Sequence, residues 1–234
     1  MKESIALSDW DGTVSKGFML FRFLDKLVRE GLFPVHYKEK MFKLHEDYSE
    51  GKIPYHTLTV EVPRIYAQGL KGLEHNRIVA AANSFLDDDQ SFLYSHAGLM
   101  FSMLREKGIN TAIISGAPAE ALLLYKEKFG IKYVYGLQAK YENGIYTGEI
   151  EINPSLVDNK AMLADAFKRN EKYEIVLAAG DTSSDIPLFE TAPNCIVVNN
   201  PEIVPMILSE KRILNVCTED NEPEQIIKFL NLIA

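Results

Sequence analysis

The sequence predicts an α/β fold, a doubly wound parallel sheet into which an α-helical cap domain is inserted. Three observations support this prediction: short apolar runs that end in small or polar residues, helical segments between these runs, and a long stretch without strands that extends over residues 15–92. Alternation of buried strands with helices is typical of a parallel sheet covered by helices on both faces. A chain of 234 residues has room for such a core and a smaller inserted domain.

Four apolar runs are the predicted strands of the sheet. They cover residues 5–8, 111–115, 174–179 and 195–198. Each run is short and contains few polar side chains, as expected of strands that are buried on both faces of a sheet.

Helices are predicted between and after these strands. Pro118 opens one helix, which ends at Gly130, because proline is favoured at the start of a helix and glycine just after its end. A second helix covers residues 161–167, and an amphipathic helix covers residues 222–232.

Two segments interrupt the alternation of strands and helices. Residues 15–92 contain helical stretches at 18–29 and 77–85 but no convincing strand, which predicts a helical cap inserted into a core of residues 1–14 and 93–234. Residues 133–152 alternate in polarity around Asn143-Gly144, a dipeptide that strongly favours a β-hairpin.

Composition limits the classes of partner. A net charge of −8 without a basic stripe argues against nucleic-acid binding, and the apolar runs are too short to span a membrane. Cys195 and Cys217 lack metal-ligand spacing and are predicted to be buried thiols, so we expect a cytoplasmic protein. The acidic run of residues 87–89 is predicted to be a solvated turn.

Polar residues follow the first two predicted strands. Asp9 and Asp11 stand one residue apart, and Gly12 and Thr13 come next. Ligands bind at the carboxyl ends of strands in open α/β sheets, so this pair is a candidate site. Ser115-Gly116 offers a hydroxyl and open backbone N–H groups before a helix, which suits a phosphate. Each segment by itself also fits an ordinary turn.

Further candidates come later in the chain. Lys160 lies early in the helix that follows the hairpin, and Asp181 and Asp185 follow the third predicted strand. Taken singly, Lys160 also fits a surface lysine, and either aspartate also fits a helix cap. Their order and their positions near strand ends favour a common site.

Together these residues resemble the four motifs of the haloacid dehalogenase superfamily: residues 9–13, Ser115, Lys160 and residues 180–185. The resemblance implies a Rossmann-like core and a helical cap where this chain has its insertion. The hairpin and the Lys160 helix are most similar to the phosphoserine phosphatase branch. The chain is therefore expected to be a phosphoric monoester hydrolase.

The resemblance also implies roles for the motif residues. Asp9 would attack phosphorus and form an aspartyl-phosphate, and Asp11 would protonate the leaving oxygen and later activate water. Lys160 would neutralise charge between Asp9 and the phosphate. The dehalogenases of the superfamily lack an acid at this position. The acid at position 11 therefore favours a hydrolase whose phosphorylated intermediate is hydrolysed rapidly.

Substrate and metal ligands follow from the same resemblance. The phosphoryl oxygens would be bound by Thr13, Ser115 and the Gly116 N–H. Mg²⁺ would be held by the Asp9 side chain, the Asp11 carbonyl and Asp181. Asp185 would be a further ligand or would orient a bound water.

Three positions depart from the phosphoserine phosphatase pattern. Phe18 replaces a glutamate that reads the substrate's amino group, and Val62 replaces an arginine for its carboxylate, although Arg64 is close. Ser184 replaces an asparagine before the last motif aspartate. A buried amine without a partner is costly, so we expect a different small phosphomonoester, with an apolar part facing Phe18. Phe18 and Ser184 are therefore candidate substrate contacts.

Alternative functions remain open from the sequence. They are phosphoserine phosphatase itself, a phosphomutase, and a non-enzymatic module that accepts phosphate on Asp9. The histidines are scattered without metal spacing, and surface or structural roles are expected for them, with a substrate contact from the cap as the less favoured alternative. They are His36, His45, His56, His75 and His96. The oligomeric state is also open.

Overall fold

The computed structural model describes residues 2–218 and 222–233. Seven strands form one sheet. They are β1 (Glu3–Ser8), β2 (Asn110–Pro118), β3 (Tyr133–Glu142), β4 (Ile145–Ile152), β5 (Tyr173–Gly180), β6 (Asn194–Val198) and β7 (Arg212–Val216). Their order across the sheet is β4-β3-β2-β1-β5-β6-β7, and only the β3–β4 pair is antiparallel. The predicted α/β class with a mostly parallel sheet is confirmed.

Helices cover both faces of this sheet. They are α1 (Met19–Arg29), α2 (Val35–Ser49), α3 (Tyr55–Leu70), α4 (His75–Asp89), α5 (Ala97–Glu106), α6 (Ala119–Phe129), α7 (Val157–Arg169), α8 (Ile186–Thr191) and α9 (Glu222–Leu230). Successive side chains of a strand point to opposite faces. Accordingly, Ala6 belongs to one buried cluster, whereas Ile5 and Leu7 belong to a second cluster with residues of α7 and α8.

The predicted elements lie close to the observed ones. All four predicted strands are present, each one to three residues longer than its apolar run at one or both ends. Helix α6 starts after Pro118 and ends at Gly130, whose φ of 70° is the left-handed conformation that glycine accepts at a helix end. The short edge strand β7 was not predicted, because its half-buried residues do not form an apolar run.

The hairpin of β3 and β4 turns at Asn143 and Gly144, as predicted. Both residues have positive φ angles, 50° and 80°, which a two-residue type I′ turn requires. Its strand β4 also contacts the inserted helices, because the Gln68 side chain of α3 donates to the Gly148 carbonyl at 2.8 Å.

Helices α1–α4 all lie between β1 and β2 in the chain, where the sequence predicts a helical insertion. Arg22 of α1 donates from Nε to Asp89 at 2.6 Å, and Tyr125 of α6 donates to the other Asp89 oxygen at 2.8 Å. The prediction of a solvated turn over residues 87–89 is wrong, because these residues are the end of α4 and Asp89 is fully buried. An arginine and a phenol replace the water that this carboxylate would otherwise need. The exact cap boundaries, 15–92, stay a prediction.

Both cysteines are free thiols. Cys195 in β6 is buried, as predicted, but Cys217 is exposed, so that part of the prediction is wrong. Cys217 directly follows the edge strand β7, in which Arg212 and Asn215 are exposed to solvent. Within the described residues, every helix is too short or too polar to span a lipid bilayer.

Candidate active site

The site lies where three adjacent strands end. Strand β1 lies between β2 and β5, and Ser8 is in register with Ile113 and Ala179. Asp9 therefore emerges between Ser115 and Asp181 at the carboxyl edge of the sheet. This convergence is the one expected from the rule for ligand sites in open α/β sheets.

The loop that carries the first acidic pair is tightly held. The Asp9 N–H donates to the Ala179 carbonyl at 3.0 Å, and the Val14 N–H donates back to the Trp10 carbonyl at 2.8 Å. Gly12 has a φ of 77°, and a Cβ there would lie 2.0 Å from an Asp181 oxygen. Residue 12 must therefore be glycine, because other residues rarely adopt this positive φ and because a Cβ atom would collide with Asp181.

His96 supports the same loop from behind. Its Nε2 lies 3.0 Å from the Thr13 carbonyl oxygen, and its Nδ1 lies 3.9 Å from a Glu222 oxygen. Ser95 donates a hydrogen bond to that Glu222 oxygen. Burial lowers the pKa of His96, so the ring is neutral and its Nε2–H is suited to donate to the carbonyl. This structural role agrees with the expectation for the histidines.

Lys160 lies at the centre of the site. Its Nζ is 2.6 Å from Asp185 Oδ1 and 3.5 Å from Asp9 Oδ1, and the side chain is only 3% exposed. Burial by itself would lower the pKa of Lys160, but the charges of Asp185 and Asp9 outweigh it and raise that pKa above its usual value. The ammonium group is therefore a permanent charge beside Asp9.

Asp185 fixes both the lysine and the loop after β5. Its Oδ2 accepts hydrogen bonds from the backbone N–H groups of Asp181, at 3.1 Å, and Thr182, at 3.0 Å. Its Oδ1 accepts the bond from Lys160. The residue is completely buried, so these bonds replace its hydration.

Three carboxylates form a cluster that fits a divalent cation. Oxygens of Asp9, Asp181 and Asp185 lie within 4.8 Å of one another. Burial, and then the charge of Asp9, raises the pKa of Asp181 to about 9. Asp9 Oδ1 is buried without a hydrogen-bond partner. Clustered carboxylate oxygens are the ligands that Mg²⁺ prefers, so the residues fit the expected metal.

Asp9 and Asp11 have different environments. Burial raises the pKa of Asp9 to about 6, and Lys160 opposes this rise. Burial raises the pKa of Asp11 further, to about 7, while the Met19 N–H donates to its Oδ1 at 2.9 Å. The Asp11 side chain thus points to the start of α1, outside the carboxylate cluster. Burial thus holds the pKa of both carboxyls above its usual range, and the neighbouring Lys160 favours the ionised form of Asp9.

A cavity of about 290 Å³ opens above these groups. Most of the predicted site residues line it. They are Asp9, Asp11, Phe18, Ser115, Gly116, Lys160, Asp181 and Ser184. Thr13 does not line the cavity, because its hydroxyl donates to Asp181 at 3.3 Å. Asp185 lies behind Lys160. The roles predicted for Thr13 and for the Asp11 carbonyl stay predictions.

Several lining residues were missed in the sequence, among them Tyr55 and Ser155. Tyr55 is the first residue of α3, and the Ser155 side chain packs against Gly116, where a Cβ would lie 2.5 Å from its Oγ. Pro54 before Tyr55 does indicate a helix start, but no local pattern indicates that this helix begins beside the active site. Arg64 is exposed, forms an ion pair with Glu61 and is not among the lining residues.

Comparison with known proteins identifies the family. A model of the haloacid dehalogenase-like hydrolases matches residues 6–190. The phosphoserine phosphatase of Methanocaldococcus jannaschii is 23% identical over 231 residues, which are 98% of each chain. That of Archaeoglobus fulgidus is 31% identical over 103 residues, which are 43% of this chain and 30% of that protein. The match thus spans less than a third of the Archaeoglobus protein.

The fold has known counterparts as well. A solved structure of a phospho-aspartyl intermediate analogue of phosphoserine phosphatase superposes with a TM-score of 0.66 and 21% identity. The superposition covers 98% of this chain and 99% of that one, so the two share the Rossmann-like fold. The family match extends over more than half of this chain and contains all four motifs. The chain therefore belongs to the haloacid dehalogenase-like hydrolases, as its motifs predict.

Proposed function

We propose that the protein is a Mg²⁺-dependent phosphatase that hydrolyses a small organic phosphomonoester through an aspartyl-phosphate on Asp9. One observation carries the proposal: a buried lysine is held between Asp9 and Asp185 at the floor of a cavity. A fixed cation beside a carboxylate nucleophile suits attack on an anionic phosphoryl group. The two relatives named phosphoserine phosphatase support the reaction class.

The two acids divide the chemistry. An Asp9 oxygen attacks phosphorus, the bond from phosphorus to the ester oxygen breaks, and Asp11 gives its proton to the departing alcohol. A water then attacks the phosphorus of the aspartyl-phosphate, Asp11 takes a proton from it, and the bond to Asp9 breaks. Phosphate leaves, and both residues return to their starting states. Against the effect of burial, Lys160 lowers the pKa of Asp9, which suits a nucleophile, and burial raises the pKa of Asp11, which suits a proton donor.

Other residues bind and orient the phosphoryl group. Ser115 and Gly116 line the cavity beside Asp9, where the hydroxyl and the backbone N–H would bind phosphoryl oxygens, and Lys160 compensates charge as the phosphoryl group transfers. Asp9, Asp181 and the Asp11 carbonyl would hold Mg²⁺, with Asp185 as a further ligand or water-orienting group. When bound, the metal supplies positive charge to the phosphoryl oxygens.

Phosphoserine is the second candidate substrate, and the names of the two relatives favour it. The inserted helices argue against it, because Phe18 and Val62 line the cavity where charged partners for an amino acid are expected. We therefore propose a substrate other than phosphoserine.

Phosphate release with Mg²⁺ tests the function. We expect turnover of at least one small phosphomonoester, no turnover by Asp9→Asn, and slow release by Asp11→Asn with accumulation of phosphorylated enzyme. Unchanged release by Asp11→Asn would contradict the role of Asp11.

The same assay separates the alternatives. A phosphomutase would need a bisphosphate activator and would release little phosphate. A phospho-acceptor module would be labelled once, on Asp9, without turnover.

A further inference from the structure

The side chains of the inserted helices that line the cavity are mainly apolar, whereas those that form its floor are charged. Six side chains from the start of α1, from α2 and from α3 form a surface that we call the apolar wall. They are Phe18, Phe21, Tyr48, Tyr55, Leu58 and Val62. Charged side chains that line the cavity all belong to the floor, among the described residues. They are Asp9, Asp11, Lys160 and Asp181.

Aromatic rings dominate the wall. Phe18 and Phe21 meet edge to face with centroids 6.1 Å apart, and Tyr48 and Tyr55 lie 5.5 Å apart. Phe18 remains 40% exposed although it lines the cavity, so its ring is not fully covered by protein. Partly uncovered rings beside a catalytic floor offer apolar contact to the part of a substrate that leaves.

The wall's phenol nearest to the floor stays neutral. Tyr55 lies close to Lys160, Asp9 and the Ser184 hydroxyl, and burial raises its pKa to about 12. It can therefore donate a hydrogen bond near the phosphoryl group, but it cannot neutralise an ammonium group. His45 contacts Phe18 and Phe21 from their outer side, with centroids 5.3 and 5.1 Å away, and does not line the cavity.

A charged leaving group has no partner on this wall. The nearest arginine along α3, Arg64, is exposed and paired with Glu61. A carboxylate placed against Phe18 and Val62 would lose water and gain no opposite charge, which is strongly unfavourable. An ammonium group would also lack an opposite charge there and would gain only a contact with the ring faces, of about 0.5–1 kcal/mol. An uncharged group of the same size would instead gain apolar contact.

We propose that the site selects phosphomonoesters whose alcohol portion is small, uncharged and largely apolar, and that this portion packs on the apolar wall. This inference rests on the proposed phosphatase function. The cavity of about 290 Å³ lies at the lower end of ligand-pocket sizes, which limits the alcohol to a few carbons or one ring.

An isosteric pair of esters tests the selection. Propyl phosphate and 2-aminoethyl phosphate differ by a methyl group against an ammonium group. We expect kcat/KM for propyl phosphate to be higher by at least about tenfold, and benzyl phosphate to be turned over too. Equal or better turnover of 2-aminoethyl phosphate or phosphoserine would overturn the inference and leave the phosphatase function intact.

A binding measurement keeps the two proposals separate. If no ester releases phosphate, the proposed function fails, but Asp9→Asn can still be titrated with propylphosphonate and 2-aminoethylphosphonate by calorimetry. Tighter binding of propylphosphonate supports the apolar wall. Equal affinities, or tighter binding of 2-aminoethylphosphonate, would overturn it.

A variant that places a negative charge on the apolar wall tests the selection, with a second variant as its control. Phe18→Glu should lower kcat/KM for propyl phosphate and raise it for 2-aminoethyl phosphate, so that the preference shifts by at least about tenfold. Phe92→Glu is the control, because Phe92 is equally exposed, at 41%, and does not line the cavity. It should leave the preference unchanged. An unaltered preference in a folded Phe18→Glu protein would contradict the inference.

Discussion

Replacement of Lys160 by methionine is the most direct perturbation of the site. Methionine keeps much of the length and volume of the side chain but removes its charge. The Nζ atom lies 3.5 Å from Asp9 and 2.6 Å from Asp185, so the substitution breaks two ion pairs at once. It also leaves the completely buried Asp185 without its cation.

The size of the effect follows from these distances. Two unit charges about 4 Å apart interact by roughly 4 kcal/mol at an effective dielectric constant of about 20. Loss of one charge-stabilising group from a transition state typically costs about 2.7–4 kcal/mol, or roughly 10²- to 10³-fold in kcat. We therefore expect Lys160→Met to lower kcat by about that factor. In metal-free protein at pH 8, the free energy of unfolding should fall by about 3–5 kcal/mol, because a buried charge has lost its partner.

Phosphate release at saturating Mg²⁺ measures the first effect, and urea denaturation in EDTA measures the second. Lys140→Met is the control, because Lys140 pairs with Glu142 and Glu149 at the surface. The control should change neither quantity appreciably. A folded Lys160→Met protein with kcat within a factor of about ten of the wild type would refute the role assigned to this cation.

Two further outcomes are expected. Burial raises the pKa of Asp9 to about 6 and of Asp181 to about 9, so the folded chain retains protons that the unfolded chain has released. The free energy of unfolding in EDTA should therefore fall as pH rises from about 4 to 9, and Mg²⁺ should restore it; a urea midpoint independent of pH would contradict this linkage. Gly12→Ala and Gly72→Ala both place alanine at positive φ, but only residue 12 meets another atom, at 2.0 Å. Gly12→Ala should be less stable than Gly72→Ala by at least about 2 kcal/mol in urea denaturation, and equal losses would count against the close packing of Asp181.

The floor of the site could be predicted from the sequence because its residues follow local rules. Asp9, Ser115 and Asp181 each stand at the end of an apolar run, and parallel strands bring such ends to one edge. The turn at Asn143-Gly144 was equally readable, since few dipeptides accept two positive φ angles.

The apolar wall could not be predicted in the same way. Tyr55, Tyr48 and Leu58 reach the cavity through the packing angles of α2 and α3, which no short pattern specifies. Asp89 shows the same limit, because its burial depends on Arg22 and Tyr125, which lie far from it in the chain. A run of polar residues predicts solvent exposure. A polar side chain in such a run can nevertheless be buried when a residue distant in sequence hydrogen-bonds to it.

The contact between α9 and the loop that carries Asp9 affects the order in which the site can assemble during synthesis. Ribosomes release the chain from its N-terminus, so Asp9 emerges early, whereas Glu222, which faces His96 behind Thr13, emerges near the end of this sequence. The neighbours of β1 in the sheet, β2 and β5, also come from distant parts of the chain. Contacts this far apart in sequence form slowly. Asp9 therefore leaves the ribosome well before the residues that support its loop, and the full set of contacts behind Thr13 can form only after the chain as far as α9 has been made.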